Sequence, residues 1–508
     1  MDRLQPDRLA RLPPDVARPH HDRVALRTGI VHLGIGAFAR AHLVAATEAA
    51  LNAGDAPHWG IAGISLRQPD THAALVPQQG LYTLALRDAA DDGSPRETLQ
   101  VVGALVQLLV APPQPAAVLD LIAHPETRIV SLTVTEKGYH HDPASGALRS
   151  QDADIVHDLQ HADAPRSTIG YVVRGLQRRL QRALPPVTLL SCDNLPANGD
   201  TLRGLALAFA QQVDPALQAW IESRCSFPNS MVDRIVPRTT AEDRERIAAR
   251  LGLDDAWPVV AEPYSEWVVE DRFVAGRPAW EHAGVRFVER AEPYERLKLR
   301  MVNGSHSALA YLGVMAGWAT VDEAIAQPAL RRFIDTMMRD EIAPTLPPMA
   351  GLDLDAYRAR LLQRFANPAL QHRTLQIAMD GSQKLPQRLL GTVRERLAAG
   401  LRIDALALAV AAWLHHLGGV DEQGRVFEIQ DPLAPALQQQ LGLAEEGARG
   451  TAEPLQREVQ RCATLCRFTP VFGDLGDSAD LVGAIARHTL SLREQGVLAT
   501  LEALQSGT

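Results

Sequence analysis

Lys298, Asn303 and His306 place an amine, an amide and an imidazole in the segment YERLKLRMVNGSHSALAYLG (residues 294–313). The segment otherwise reads as buried helix, with Leu297, Met301, Leu309 and Leu312 at helical spacing. Taken singly, each has an ordinary explanation: Lys298 reaches solvent along its stem, Asn303 caps a helix, His306 is a satisfied core histidine. Taken together, among apolar neighbours, the three favour a site. On a continuous α-helix, at about 100° per residue, they project into a sector of about 140°. A lysine in a partly dry pocket loses its preference for the charged form and can take a proton near neutral pH. An asparagine amide can stabilise a developing alkoxide. Dehydrogenation of an alcohol needs both, plus a nicotinamide to accept the hydride.

A second cluster, HLGIGAFARAH (residues 32–42), could hold that nicotinamide dinucleotide. Gly34, Gly36 and Ala39 match G-x-G-x-x-G/A after an apolar run and at the opening of a helical one. Gly34 allows the tight turn, Gly36 lets a pyrophosphate approach the backbone, and Ala39 lets the helix pack close to the sheet, its N-terminus favouring the anion. Phe38 and Arg40 lie in the same loop and join the cofactor candidates. The next strand, IAGISL, ends near Arg67, Gln68 and Asp70; a carboxylate there selects NAD and an arginine suits the 2′-phosphate of NADP. Asp70 leans the choice to NAD without excluding NADP. TVTEKGY (133–139) and SCDNLPANG (191–199) put polar groups after two further apolar strands. Asn194 is equally a turn asparagine or an amide donor to a carbonyl or alkoxide oxygen. In FPNSMVDRIVP (227–237), Asp233 and Arg234 are either an ion pair or a contact to substrate or cofactor.

These groups must be carried by an α/β first half and a helical second half. GIVHLGIGAF, HWGIAGISL, LQVVGALVQLLV, TRIVSLTVTE and VTLLSCDNL read as strands, with helical stretches between them such as ARAHLVAATEAALNAG and TIGYVVRGLQRRLQRAL. That order predicts a Rossmann-type, doubly wound parallel sheet with ligands at the carboxyl ends of its strands. After about residue 290 helical periodicity takes over, in LRRFIDTMMRDEIAPTL, LDAYRARLLQRFA, LPQRLLGTVRERLAAGL and DALALAVAAWLHHLGG. The reading is a dinucleotide-binding domain over 1–290 and a mostly α-helical substrate domain over 291–508, with a ligand-sized cleft between them. The 508 residues are 46% apolar and 22% charged, with a net charge of −9, which argues against nucleic acid as a partner. No apolar run is long enough for a bilayer and the N-terminus lacks a signal-peptide core, so a cytoplasmic location away from membranes is expected. Four cysteines make no disulfide framework, and no metal site is expected, since Cys462 and Cys466 lack a second ligand pair nearby.

Seven blocks in order, IVHLGIGAFARAH, SLTVTEKGY, SCDN, FPNSMVDRIVP, EPYSEWVVEDRF, KLRMVNGSHSALAYLG and QIAMDGSQKLPQRLL, resemble the mannitol dehydrogenase family, the polyol-specific long-chain dehydrogenases. The resemblance implies metal-independent hydride transfer with NAD, Lys298 as general base, and Asn303 and Asn194 as the pair that stabilises the alkoxide. It further implies that His306, Asp233 and Lys384 contact substrate and that the chain is a monomer. TVTEKGY, NPALQHRTLQIAMDGSQKLPQR and GGVDEQG resemble most the fructuronate reductase branch, which implies interconversion of D-mannonate and D-fructuronate. Arg373, Lys384 and Arg388 would then hold the substrate carboxylate; for Arg388 a solvated basic helix face is as good an explanation. Ala39 and Leu375 depart from the histidine and tryptophan common in that branch. Two other expectations stand beside this one: a mannitol or arabinitol 2-dehydrogenase acting on a neutral polyol, and a catalytically silent cofactor-binding sensor.

Overall fold

In the computed structural model, residues 1–89, 94–142, 145–349, 352–448 and 453–506 are described. The chain divides into two compact units, Met1–Glu295 and Arg296–Thr508.

The first unit is built on five parallel strands: β1 (Thr28–Leu33), β2 (Gly60–Ser65), β5 (Leu105–Val110), β6 (Ile129–Leu132) and β7 (Thr188–Ser191), in the order β5-β2-β1-β6-β7. Their runs of Ile, Val and Leu are buried on both faces, as a sheet covered by helices on each side requires. β1 pairs β6 in the register Ile30↔Ile129 to Leu33↔Leu132, and β2 on its other edge from Ile30↔Ile61 to Leu33↔Ile64. Strand order reverses at β1, so the crevice outside the carboxyl ends of β1 and β6 is the switch point where such sheets bind ligands. The helix Thr168–Gln181, capped by the Ser167 hydroxyl on the Gly170 N–H at 2.9 Å, packs one face.

One expectation fails in detail. LQVVGALVQLLV is not a single strand but the end of β4 (Pro95–Val102) and all of β5, divided at Gly103. A Cβ at Gly103 would meet the Pro19 side chain at 2.7 Å, so the apolar run passes a point of close packing there and changes sheets. β4 pairs antiparallel with β3 (Tyr82–Ala89), which pairs parallel with β9 (Val259–Ala261). A third sheet joins β8 (Ser230–Asp233), β10 (Glu266–Glu270) and β11 (Arg286–Val288).

The second unit is helical around a single apolar core. At its centre lie the helices Ser305–Met315 and Asp404–His416, with Leu309, Leu312, Leu406, Leu408 and Val410 fully buried. Each such aliphatic side chain contributes about 1.5–3 kcal/mol of burial free energy. This core fixes the backbone on which the polar groups of the opening segment are mounted.

Candidate active site

The glycines at the end of β1 divide their labour. Gly34 has φ +92°, and a Cβ there would lie 2.1 Å from the Thr133 carbonyl, so the turn itself demands glycine. Gly36 has an ordinary φ of −82°, and its missing Cβ would meet only the Gly34 carbonyl at 3.9 Å. Gly36 therefore leaves open space in front of the first turn of a helix that runs through residues 37–52. The opening N–H groups of that helix lack intrahelical acceptors, and a pyrophosphate fits the space and the dipole. Ala39, 1% exposed, packs the helix onto the sheet as its spacing implied. Phe38 is half-buried and stacks on His42 at 5.1 Å. Asp70 is exposed in the first turn of the helix Asp70–Leu75, five residues past β2. Arg40 is different. Its guanidinium is buried, donates to the Trp257 carbonyl at 2.5 Å and lies over the Tyr82 ring. It points into the interior of the unit instead of toward the phosphate loop, and burial lowers its pKa to about 10.

A buried polar rod supports this loop from below. The Thr133 hydroxyl donates to the Gly34 carbonyl at 2.7 Å, so its oxygen accepts from His32 Nε2–H at 2.9 Å. His32 Nδ1 is then left to accept from the Ser131 hydroxyl at 2.8 Å. Burial keeps the ring neutral, with its pKa lowered to about 4.

Beyond β6 and β7, a residue the sequence reading passed over organises the loops. Asp193 accepts from the backbone N–H groups of Val134 at 3.0 Å and Thr135 at 2.9 Å, and from the Tyr139 hydroxyl at 2.8 Å. Burial pushes its carboxyl up to about 6 although those three donors pull the other way. Asp193 thereby ties TVTEKGY to SCDN and fixes the backbone next to Asn194, which is half-buried. Asn198 continues the network, its amide donating to the carbonyls of Asp193 at 2.9 Å and Ser230 at 2.8 Å and its oxygen accepting from Ser230 N–H. Asp233 ends β8, 5% exposed and in register with Glu266. Of the two readings of Asp233 and Arg234, the ion pair is not the one formed: Arg234 donates to the backbone carbonyls of Glu262 and Ala41.

In the second unit the opening segment departs from a plain α-helix. Residues Lys298–Gly304 form a wide π turn between α-helical ends. With i→i+5 bonding, Lys298 and Asn303 stand one turn apart on one face, where α spacing would separate them by about 140°. Both are 7% exposed. A second π turn, Pro386–Leu390, crosses it: a Cβ on Gly304 would lie 2.8 Å from the Arg388 carbonyl. The Arg388 guanidinium donates to the Ser307 hydroxyl at 3.1 Å. The His306 ring stacks on Phe365 at 5.0 Å and meets His372 edge-on at 5.2 Å. Its buried Nε2, like Nδ1 of His372, has no hydrogen-bond partner among the described residues. Burial, then His372 and the cations Arg388, Arg364 and Lys384, hold the His306 pKa well below its ordinary value; His372 is lowered to about 4. Lys384 rides on the short helix Gly381–Leu385 with Nζ donating to the Ile377 carbonyl at 3.2 Å.

The structure thus groups Lys298, Asn303 and His306 with Lys384 and Arg388 in the second unit. Gly34, Gly36, Asn194 and Asp233 lie in the first. Arg373 does not join the His306 group: it precedes the helix Thr374–Ala378 with its side chain exposed. Arg364 and His372 were missed by sequence reading, although LDAYRARLLQRFA, quoted for its helical spacing, contains the one and NPALQHRTLQIAMDGSQKLPQR, quoted for its resemblance, the other. Elsewhere, His140, Asp152 and Asp154 bring ligand atoms within 4.8 Å of one another, but Asp152 already caps the helix Ala153–Gln160 and pairs with His140 at 3.2 Å. The thiols of Cys192, Cys462 and Cys466 are buried and all four cysteines are free. Among the described residues, no helix is long and apolar enough to cross a membrane.

A Rossmann-type sheet with a pyrophosphate-shaped glycine turn, followed by a helical unit holding a buried lysine beside an asparagine, defines an NAD-dependent oxidoreductase. Comparison with known proteins agrees. The Rossmann domain of mannitol dehydrogenases matches residues 28–282, and the mannitol dehydrogenase C-terminal domain matches residues 290–492. The chain belongs to the mannitol dehydrogenase family. It is 42% identical over 495 residues to D-mannonate oxidoreductase of Escherichia coli (strain K12), covering 96% of this chain and 98% of that protein. It is 41% identical over 496 residues to mannitol 2-dehydrogenase of Pyrenophora tritici-repentis (strain Pt-1C-BFP), covering 96% and 84%. Among solved structures, the Pseudomonas fluorescens mannitol 2-dehydrogenase ternary complex with NAD and D-mannitol superposes with a TM-score of 0.90 at 37% identity, covering 100% of both chains.

Proposed function

We propose that the chain interconverts D-mannonate and D-fructuronate: D-mannonate + NAD+ gives D-fructuronate + NADH + H+. The observation that carries the sugar-acid reading is the set of cations around His306, namely Arg364, Lys384 and Arg388, in the same unit as the buried lysine. A carboxylate gains charge-assisted bonds from such groups, where a neutral polyol gains only the weaker bonds to its hydroxyl oxygens.

NAD, when bound, accepts the hydride from the carbinol carbon. Gly34, Gly36, Phe38, Ala39 and Asp70 belong to its binding, with Asp70 on the ribose hydroxyls. Lys298 takes the hydroxyl proton as general base. The amides of Asn303 and Asn194 donate to the oxygen as it gains charge and again as it becomes a carbonyl. His306, kept neutral, bonds a substrate hydroxyl, as does Asp233. Lys384 and Arg388 hold the carboxylate, with Arg364 beside them. Arg373 and Arg40 have no part in this reading, given the exposure of the one and the inward turn of the other.

A neutral-polyol reading draws on the likeness to the mannitol 2-dehydrogenase complex. NADH oxidation assayed with fructuronate, tagaturonate, fructose and xylulose separates the two. Fructuronate is expected to turn over fastest; turnover of fructose with none of fructuronate overturns the proposal. The same panel run with NADPH tests the cofactor.

A further inference from the structure

Lys384 sits in the first turn of a helical run that continues unbroken through residues 381–398, with Gly381–Leu385 followed by the π turn Pro386–Leu390 and a further α segment. Asp380, which precedes it at φ +56°, makes no side-chain cap bond. The opening N–H groups of the run therefore need acceptors from elsewhere. Support comes from a segment some fifty residues away. The Asp431 carboxylate accepts from Ser382 N–H at 2.7 Å and from the Ser382 hydroxyl at 2.6 Å. The Gln430 carbonyl accepts from Asp380 N–H at 2.9 Å. On the opposite side, Gly381 lies against Trp413 and Tyr311; a Cβ there would be 2.4 Å from the Trp413 indole nitrogen. The turn that carries Lys384 is therefore gripped between the core and residues 430–431.

The supporting segment, 417–433, contains GGVDEQG and is itself anchored at three places. Phe427 N–H donates to the Gly419 carbonyl at 2.9 Å, and the Phe427 ring stacks on His416 at 4.8 Å. Glu422 N–H donates to the Met315 carbonyl at 2.9 Å, at the end of the helix that follows Lys298 and Asn303. The Glu422 carboxylate accepts from Val497 N–H just after Gly496, where the C-terminal helix kinks.

We propose that Asp431 is a positioning residue: it caps the Lys384 helix from outside, and segment 417–433 is a brace that holds the second lysine in register with the helix of the first. This rests on the reading above, in which Lys384 touches substrate. A lysine has four rotatable bonds, so the accuracy of its amine depends on how firmly its backbone is held. Loss of the cap should blur substrate recognition while leaving the NAD half untouched.

The test is a double-mutant cycle of Asp431→Ala and Lys384→Met in the full-length protein, with Ser382→Ala as a milder probe that removes only the hydroxyl bond. Readouts are KM for fructuronate, kcat, NADH affinity by fluorescence titration, and Tm. Asp431→Ala is expected to raise KM about tenfold or more, with kcat changed less than about threefold and NADH affinity unchanged. Ser382→Ala should raise KM by a smaller factor, and Asp431→Asn, which keeps one acceptor oxygen, should recover part of the loss. In the Lys384→Met background, Asp431→Ala should add almost nothing, since it acts through the lysine. Full additivity, or a lowered Tm with KM unchanged in both Asp431→Ala and Ser382→Ala, overturns the brace. If Lys384→Met alone leaves KM unchanged, the underlying reading of Lys384 as a substrate contact fails instead.

Discussion

Gly304→Ala sets two known effects against each other at the place where two π turns touch. An alanine is a better helix residue than glycine by about 1 kcal/mol, so in open space the variant would be more stable. Here the new Cβ falls 2.8 Å from the Arg388 carbonyl oxygen. The obstacle is backbone, not a flexible side-chain tip, and ordinary contact needs about 3.4 Å or more. The two turns must part by about half an ångström, and overpacking of this kind costs about 1–3 kcal/mol. The net expectation is a loss of up to about 2 kcal/mol, a fall of a few degrees in Tm for a unit of this size. Activity should suffer more. Asn303 immediately precedes Gly304 and Arg388 lies across the contact, so one change moves the proposed alkoxide donor and the proposed substrate cation apart. If a displacement of about 1 Å costs about a hundredfold, half of it costs about tenfold in kcat/KM. Steady-state kinetics and thermal unfolding on the same preparation check both. A variant stabilised by the full helix-propensity gain, with kcat/KM intact, would refute the close crossing and the role given to it.

Lys298→Ala should lower kcat by about 10²–10⁴-fold and leave NADH affinity as it was; equal losses in both argue against a general base. Gly36→Ala should fold normally, because the added Cβ meets only the Gly34 carbonyl at 3.9 Å, yet bind NADH at least about tenfold more weakly. Gly34→Ala should instead lower Tm, since it forces a Cβ at φ +92° against the Thr133 carbonyl. Asp193 supplies a pH signature. Its carboxyl is raised from 3.8 to about 6 in the folded state, so its contribution to stability is complete below about pH 4 and is lost as pH rises through 6. That loss is about 3 kcal/mol in order of magnitude. Asp193→Asn does not titrate, so its stability deficit relative to the parent should narrow between pH 4 and pH 7; a deficit that stays constant over that range excludes the raised carboxyl.

The sequence could be read where chemistry and local geometry share the same few residues. The β1 turn is legible because Gly34, Gly36 and Ala39 must be small for reasons that act within one strand–turn–helix unit. The parallel sheet is legible because its strands are apolar on both faces. β3 is less so: the first four residues of YTLALRDA are all buried, so no alternation marks it, and Gly103 divides a run whose apolar residues continue on both sides. Arg40 misled because a cation beside a phosphate loop looks like a phosphate ligand, and only the tertiary fold turns it toward Trp257. The cap of Asp431 on Ser382, and that of Asp193 on Val134, join residues 49 and 59 positions apart; nothing local announces such bonds. The π turns leave no mark in residue type at all.

The turn from Lys298 to Gly304 has a consequence for chain length. A wide helical turn holds a residue more than regular coiling needs. Trimming one position between Lys298 and Asn303 would let the segment relax into an unbroken α-helix, a sturdier one with every i→i−4 bond available. The same trim would put the amide of Asn303 four positions from the amine, about 40° around the axis, so the pair would stay on one face. Helical content should rise in the shortened chain, and any turnover lost with it measures what the widened backbone itself contributes, apart from the alignment of the pair.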